Sequence, residues 1–214
     1  MDDVGGGHLG FSDNVERPWR AARLPGGPQY GAVYAGMIDN LRSFLDQLAA
    51  ARPDPQSIEA LSADLSRWTG RLAPMEAAER DRLFGRCTNV PGRAQTMAPR
   101  LVVTGVTDDA VTASVCFGPY FLGGNGAAHG GAIPLVFDEI MGRLANSAGR
   151  PAQRTAFLHT DFRSITPIGR PLKLRARLFR EEGRKRWIRG ELHDGDLLCA
   201  EAEGLFVALR PGQP

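Results

Sequence analysis

The run from Gly131 to Ala145 constrains this chain more than any other stretch, because a helix built from it has almost no polar face. Ala132, Ile133, Leu135, Val136, Phe137, Ile140, Met141, Leu144 and Ala145 make such a helix apolar nearly all round. A helix of that kind must be wrapped by other structure and cannot simply lie on a surface. Two acids, Asp138 and Glu139, nevertheless fall inside the run. Burying an unpartnered carboxylate costs on the order of several kcal/mol, so the reading is that the acids are buried there for a use. They follow His129-Gly130-Gly131 and, before it, Gly123-Gly124-Asn125-Gly126.

The wrapping has to come from strands, and the period of the sequence supplies them. After Pro91-Gly92-Arg93 the pattern alternates: Leu101–Val106, a turn at Asp108-Asp109, then Val111–Phe117, which is a hairpin. Beyond the apolar helix come Thr155–Phe162, Pro171–Arg180, Arg186–His193 and Leu197–Leu209. Strand, strand, helix, strands is an α+β order, best met by a strongly curved antiparallel sheet around one central helix. Such a sheet leaves an edge that a second copy could cover.

Upstream the period is helical. Val33, Met37, Leu41, Phe44, Leu45 and Leu48 form one stripe that Pro53 and Pro55 end, and Ile58, Leu61, Leu65, Trp68 and Leu72 form a second with heptad-like spacing. Residues 30–84 therefore read as a helical hairpin, too short for a free coiled coil and expected to pack on something. The division expected is a flexible lead over 1–29, rich in Gly, Pro and Arg, a helical extension over 30–90, and the sheet domain over 91–214.

Composition narrows the partners. A net charge of +2 over 214 residues, with no block of Lys and Arg, gives no reason to expect a nucleic-acid partner. Cys87, Cys116 and Cys199 are widely spaced, which suits reduced thiols and neither a disulfide framework nor a structural zinc site. The first residues lack the basic and apolar regions of a secretory signal, and no apolar run reaches the roughly 18 residues of a membrane span. The expectation is a cytoplasmic protein with no membrane partner.

Several chemistries compete for the His-Gly-Gly segment. A lipase-type oxyanion loop requires a Gly-x-Ser-x-Gly elbow, and Ala145-Asn146-Ser147-Ala148-Gly149 lacks the first glycine. A phosphate loop or dinucleotide fold fails too, for want of a Gly-Lys-Ser/Thr ending and a βαβ unit. Helix-end physics offers another use. If the helix starts near Gly131, with Pro134 in its first turn, the amides of Gly130, Gly131 and Ala132 point out unpaired at the positive end of the dipole. That is a place to hold an oxyanion, and glycines let a carbonyl approach closely. Asp138 lies nine residues beyond His129, roughly 180° round an α-helix and about 13 Å along it. The two cannot serve one site within one helix. Either other segments bring each a partner, or Asp138 of one copy faces the His-Gly end of another across a two-fold axis, the arrangement favoured here.

These residues resemble the hot-dog-fold acyl-CoA thioesterases, in particular the phenylacetate-pathway and thioesterase-superfamily types. The resemblance covers about residues 91–214. It rests on His129-Gly130-Gly131 with Asp138 at the family's spacing, Thr155-Ala156-x-Leu158, Phe162-Arg163, Glu182-Gly183-Arg184-Lys185, and Ala202-Glu203-Gly204-Leu205-Phe206. It implies a hot-dog fold and hydrolysis of acyl-CoA to free acid and CoA in fatty acid metabolism, by a homodimer or dimer of dimers. By position, Asp138 takes the role of nucleophile or general base, the Gly130 amide holds the oxyanion, and His129 positions the thioester. Thr155 is the hydroxyl that orients the carboxylate or its water, though a short extra loop, Gly149-Arg150-Pro151, alters its offset. Where some relatives carry an Asn six residues before the His, this chain has Gly123, with Asn125 two places away.

Bland alternatives stand beside each role: Asp138 as a structural acid, Glu139 as the working carboxylate, His129 as a mere cap, Thr155 as an ordinary strand residue. Residues 163–190 carry ten Arg or Lys against Glu181 and Glu182. Most of these suit a solvated outer face, while Arg163 and the Arg184-Lys185-Arg186 turn, with Gly131 and Asn125 nearer the thioester, are the candidates for binding substrate. No metal or cofactor is expected, coenzyme A being part of the substrate. The alternative function is a non-hydrolytic acyl-CoA binder of the same fold; hydration or dehydration of enoyl thioesters is weaker, lacking the Asp-x-x-x-x-His pattern. Acyl chain type and the job of the hairpin stay open.

Overall fold

The computed structural model describes residues 27–87, 90–210 and 212–213, so the lead expected over 1–29 lies almost wholly outside the described residues. Two helices come first, α1 (Gly27–Ala50) and α2 (Pro55–Leu72). Asp54 caps α2 by accepting the Ser57 amide at 2.8 Å, with Pro55 in the first turn. The hairpin β1 (Leu101–Val106) and β2 (Ala110–Cys116) follows, then a small ribbon, β3 (Leu122–Gly124) with β4 (Ala127–Ala128), and the helix α3 (Ala132–Ala145). Four long strands complete the chain: β5 (Gln153–Phe162), β6 (Pro171–Glu182), β7 (Lys185–Asp194) and β8 (Leu197–Ala208).

The main sheet is antiparallel throughout, in the order β1-β2-β6-β7-β8-β5. Alternation does the sorting. Leu172, Leu174 and Ala176 of β6, Ile188 and Leu192 of β7, and Ala200, Ala202 and Phe206 of β8 are buried and form one core with α3. The residues between them, Lys173, Arg175, Arg177 and Arg189, face out. On that outer face Arg175 stands across from Glu191, and Arg189 pairs with Glu203 at 3.1 Å, so the basic stripe is partly answered by acids. α3 rests against β6, β5, β8, β2 and β7, the helix wrapped in a curved sheet that defines the hot-dog fold. At Gly190 the helix comes so close that a Cβ would stand 2.8 Å from Met141 Cε and Phe137 Cδ1. Glycine is therefore what lets α3 settle to this depth.

The enclosure of α3 is one-sided, which corrects the expectation that its acids are buried. Ala132, Ile133, Val136, Phe137, Ile140, Met141, Leu144 and Ala145 are buried. Pro134, Leu135, Asp138, Glu139, Gly142 and Arg143 fall on the opposite stripe, where Asp138 is exposed and the rest are half-buried. The physical reason is angular: positions i, i+1, i+4 and i+5 share a face, and the sheet covers only the other one.

The extension packs unevenly. Ile38 of α1 is buried with Cys87, Val90 and Ala94, and Tyr34, Ala35 and Leu83 pack against them. α2 buries no residue, and Ile58, Leu65, Trp68 and Leu72 are all at least half exposed. The expected packing of the hairpin is thus met by α1; within the described chain α2 only shares with the end of α1 an open groove lined by Leu48, Pro53, Ile58, Leu61 and Leu65.

Candidate active site at the start of the central helix

The β3–β4 ribbon delivers His129. Asn125, at its exposed tip, takes a left-handed φ of 50°, a turn position, and makes no described contact with His129 or Asp138. Ala128 N donates to Thr166 O at 2.8 Å and His129 N to Phe121 O at 2.7 Å, which pins the backbone on two sides. The chain then turns tightly: Ala132 N donates to His129 O at 2.8 Å, and Gly131 N donates to His129 Nδ1 at 3.0 Å. A ring nitrogen that accepts is unprotonated, so the neutral His129 carries its proton on Nε2 and presents it as a donor.

These bonds revise the expected row of three unpaired amides. Gly131 and Ala132 are satisfied by His129 itself, through its side chain and its carbonyl. Among the described hydrogen bonds, the Gly130 N–H alone of the three has no acceptor. Gly130 is exposed at the N-terminus of α3 with the Phe162 ring beside it, 3.8 Å from where a Cβ would lie. A free amide at the positive end of a helix, beside an aromatic edge and with no side chain of its own, suits a developing oxyanion.

Asp138 lies further along the same helix, and its Oδ1 accepts the Thr155 hydroxyl at 2.8 Å. The pairing follows from how β5 begins. Asn146, at the end of α3, donates from Nδ2 to Gly142 O at 2.8 Å and accepts the Gln153 amide on Oδ1 at 2.9 Å. That clip starts the edge strand beside the helix it follows, and Thr155, opposite Phe206 in register, then faces α3. Glu139 is differently placed. Its Oε1 takes Arg143 Nε at 2.9 Å and Nη2 at 2.8 Å, with Arg93 Nε at 3.5 Å. Glu139 is thereby held as a paired anion, while Asp138 is held by one hydroxyl and keeps an oxygen free for chemistry. Arg93 escaped sequence reasoning: Pro91-Gly92-Arg93 reads as a domain break, and nothing in the residues shows that Arg93 adopts a left-handed φ of 57° and reaches α3.

His129 and Asp138 share no described contact: His129 stands in the turn before α3, not on the helix as expected, and Asp138 lies within it. Arg163 is exposed and already paired, with Glu201 Oε1 at 2.9 Å from Nε and with Asp161 Oδ2 at 3.3 Å from Nη2; the Glu201 hydrogen bond raises its pKa above the ordinary arginine value. Arg184 donates from Nη1 to Ala208 O at 2.7 Å, tying the β6–β7 turn to the end of β8, and Lys185 is exposed. Arg186, grouped with them from sequence, points inward: it is 5% exposed and bonds Glu181 Oε1 at 2.6 Å. Among the described residues no group of three His, Cys, Asp or Glu side chains could hold a metal ion, and no helix is long and apolar enough to cross a membrane.

Residues 125–203 match the family model of the thioesterase superfamily. Acyl-coenzyme A thioesterase THEM4 of Bos taurus is 32% identical over 96 residues, 44% of this chain and 39% of that protein. THEM4 of Xenopus laevis is 32% identical over 96 residues, with 43% of its length covered, and acyl-coenzyme A thioesterase THEM5 of Mus musculus is 29% identical over 102 residues, with 41% covered. This chain thus spans less than half the length of each of these relatives. A crystal structure of a thioesterase superfamily protein superposes with a TM-score of 0.68 at 28% identity, covering 87% of this chain and 98% of the other. That coverage exceeds the 91–214 stretch and takes in part of the N-terminal helices. The chain thus has a hot-dog fold, and its residues 125–203 are similar to the thioesterase superfamily.

Proposed function

We propose that this chain hydrolyses acyl-CoA thioesters to a free acid and CoA. The observation that carries the reading is the pair of half-sites in and just before α3: a carboxylate held by Thr155 with one oxygen free, and a helix-end Gly130 amide beside a histidine whose Nδ1 accepts the Gly131 amide. The activity for which the similar THEM4 and THEM5 proteins are named supports the substrate class.

In this reading Asp138 takes a proton from a water that attacks the thioester carbonyl. The new C–O bond places charge on the carbonyl oxygen, where the Gly130 N–H meets it, and His129 positions the thioester. The C–S bond breaks as the intermediate collapses, and the proton on Asp138 goes to the leaving thiolate. Direct attack by Asp138, followed by hydrolysis of the anhydride, uses the same groups. Neither route calls for a metal or redox cofactor. With His129 in the turn before α3, Asp138 within the helix and no contact between them, the working site in this reading joins Asp138 of one copy to His129 and Gly130 of a second in a homodimer, or in a dimer of dimers. Lys185, exposed, is the freest of the candidate cations for CoA phosphates; Arg163 would have to exchange its carboxylate partners, and Arg184 a carbonyl.

The test is release of free thiol from acyl-CoA by the wild-type protein and by Asp138→Asn. Loss of at least about 10²-fold in kcat with the fold retained is expected; full activity in the variant overturns the mechanism. Tight acyl-CoA binding by the wild-type protein with no CoA released would instead identify a non-hydrolytic binder.

A further inference from the structure

We infer that Asp46, on α1 of the N-terminal extension, is a positioning residue for the His129 half-site. The inference rests on the hydrolytic reading above for its kinetic consequence, and on geometry alone for the rest. Asp46 is half-buried, and its Oδ1 accepts the Tyr120 amide at 3.0 Å, across 74 residues of chain. Tyr120 is the centre of a short 3-10 turn, Pro119–Phe121, and that turn is where α1 makes its main contact with the sheet domain. The next residue, Phe121, presents the carbonyl that receives the His129 N–H at 2.7 Å. From Asp46 to the His129 backbone the path is therefore one hydrogen bond, one residue and a second hydrogen bond.

The fit along this path is close. A Cβ at Gly118 would overlap the Asp46 carboxylate, so only glycine lets α1 approach the turn this far. Phe121 Nα–H donates to Gly118 O at 3.0 Å, and the Phe121 ring meets Phe117 and Tyr120 edge to face, which leaves the turn little freedom of its own. At the other end a Cβ at Gly123 would stand 2.8 Å from His129 Cα. The carboxylate also lies close enough to Cys116 to push that thiol up, second to burial as a cause. A shift of the turn would thus carry His129 with it, and with His129 the Gly131 amide that fixes its tautomer. The extension, whose job the sequence leaves open, here acts as a brace for the oxyanion end of α3.

The test uses the full chain with Asp46→Ala and Asp46→Asn, the latter keeping an oxygen that can accept from Tyr120. With acyl-CoA as substrate, Asp46→Ala is expected to lose about tenfold or more in kcat with KM within about twofold, as for a misplaced catalytic group, and Asp46→Asn to recover most of it. Ring ¹⁵N spectra give the second readout: in Asp46→Ala the His129 signals, assigned through His129→Gln, move, while those of His159 and His193 stay. Wild-type kcat and unmoved His129 signals in Asp46→Ala overturn the inference. So does equal loss in both variants with the signals of His129, His159 and His193 all shifted, which is general unfolding. If the wild-type protein releases no CoA, the hydrolytic reading fails by itself; the histidine spectra then decide, and an unmoved His129 overturns this inference.

Discussion

Asp138 and Glu139 are neighbours in sequence with opposite surroundings, and the parts proposed for them rest on that difference. Two arginines engage one oxygen of Glu139, whereas a neutral hydroxyl engages one of Asp138. Glu139→Gln is therefore expected to keep thioester hydrolysis within about threefold while costing about 1 kcal/mol of stability, the range for a partly exposed ion pair. An inactive, folded Glu139→Gln would move the catalytic role to Glu139. The Thr155 hydroxyl orients a carboxylate in an exposed setting, so its removal should cost less than that of Asp138 itself. Thr155→Val is expected to lower kcat about tenfold, equivalent to about 1.4 kcal/mol, with little change in melting temperature, and Thr155→Ser to restore it. A Thr155→Val protein with wild-type kcat would leave Thr155 an ordinary strand residue.

At the scale of elements, α3 is the part on which both half-sites depend, and its depth is set by Gly190. Gly190→Ala forces the Phe137 ring or the helix to move and is expected to destabilise the fold by about 1–3 kcal/mol, seen as a lower midpoint in thermal unfolding; an unchanged midpoint would mean that the helix has slack. The strands and helices were legible in the sequence because their signals are local: alternation places the strands, and the stripe from Val33 to Leu48 places α1. The burial of α3 was misread because its apolar residues were counted without following the angle, which puts Asp138 and Glu139 together on the uncovered stripe. The satisfied amides of Gly131 and Ala132 were misread because a histidine two residues ahead of a helix can supply two acceptors, a ring nitrogen and a carbonyl. Arg93 and Asp46 were out of reach for another reason. Their contacts, with Glu139 and Tyr120, are made between segments that nothing local brings together.

At the scale of the whole molecule the outstanding matter is how a site is completed when its halves point apart. Within one chain Asp138 is exposed, β5 is an open edge of the sheet, and Phe162 near that edge's end stands bare beside Gly130. Unpaired strand edges seek partners, and the proposed two-fold site requires a copy seated so that each Asp138 meets the other chain's His129. Complementation tests this directly. Asp138→Asn and His129→Ala are each expected to be inactive as homodimers, since every site then lacks one group. If the two proteins are mixed, unfolded and refolded together, half the dimers are mixed, and each mixed dimer has one site with both groups intact and one with neither. The expected recovery is about a quarter of wild-type activity, from half the dimers with half their sites. If Asp138 and His129 served one site within a single chain, no mixture could restore it and the activity would stay at the level of the separate variants.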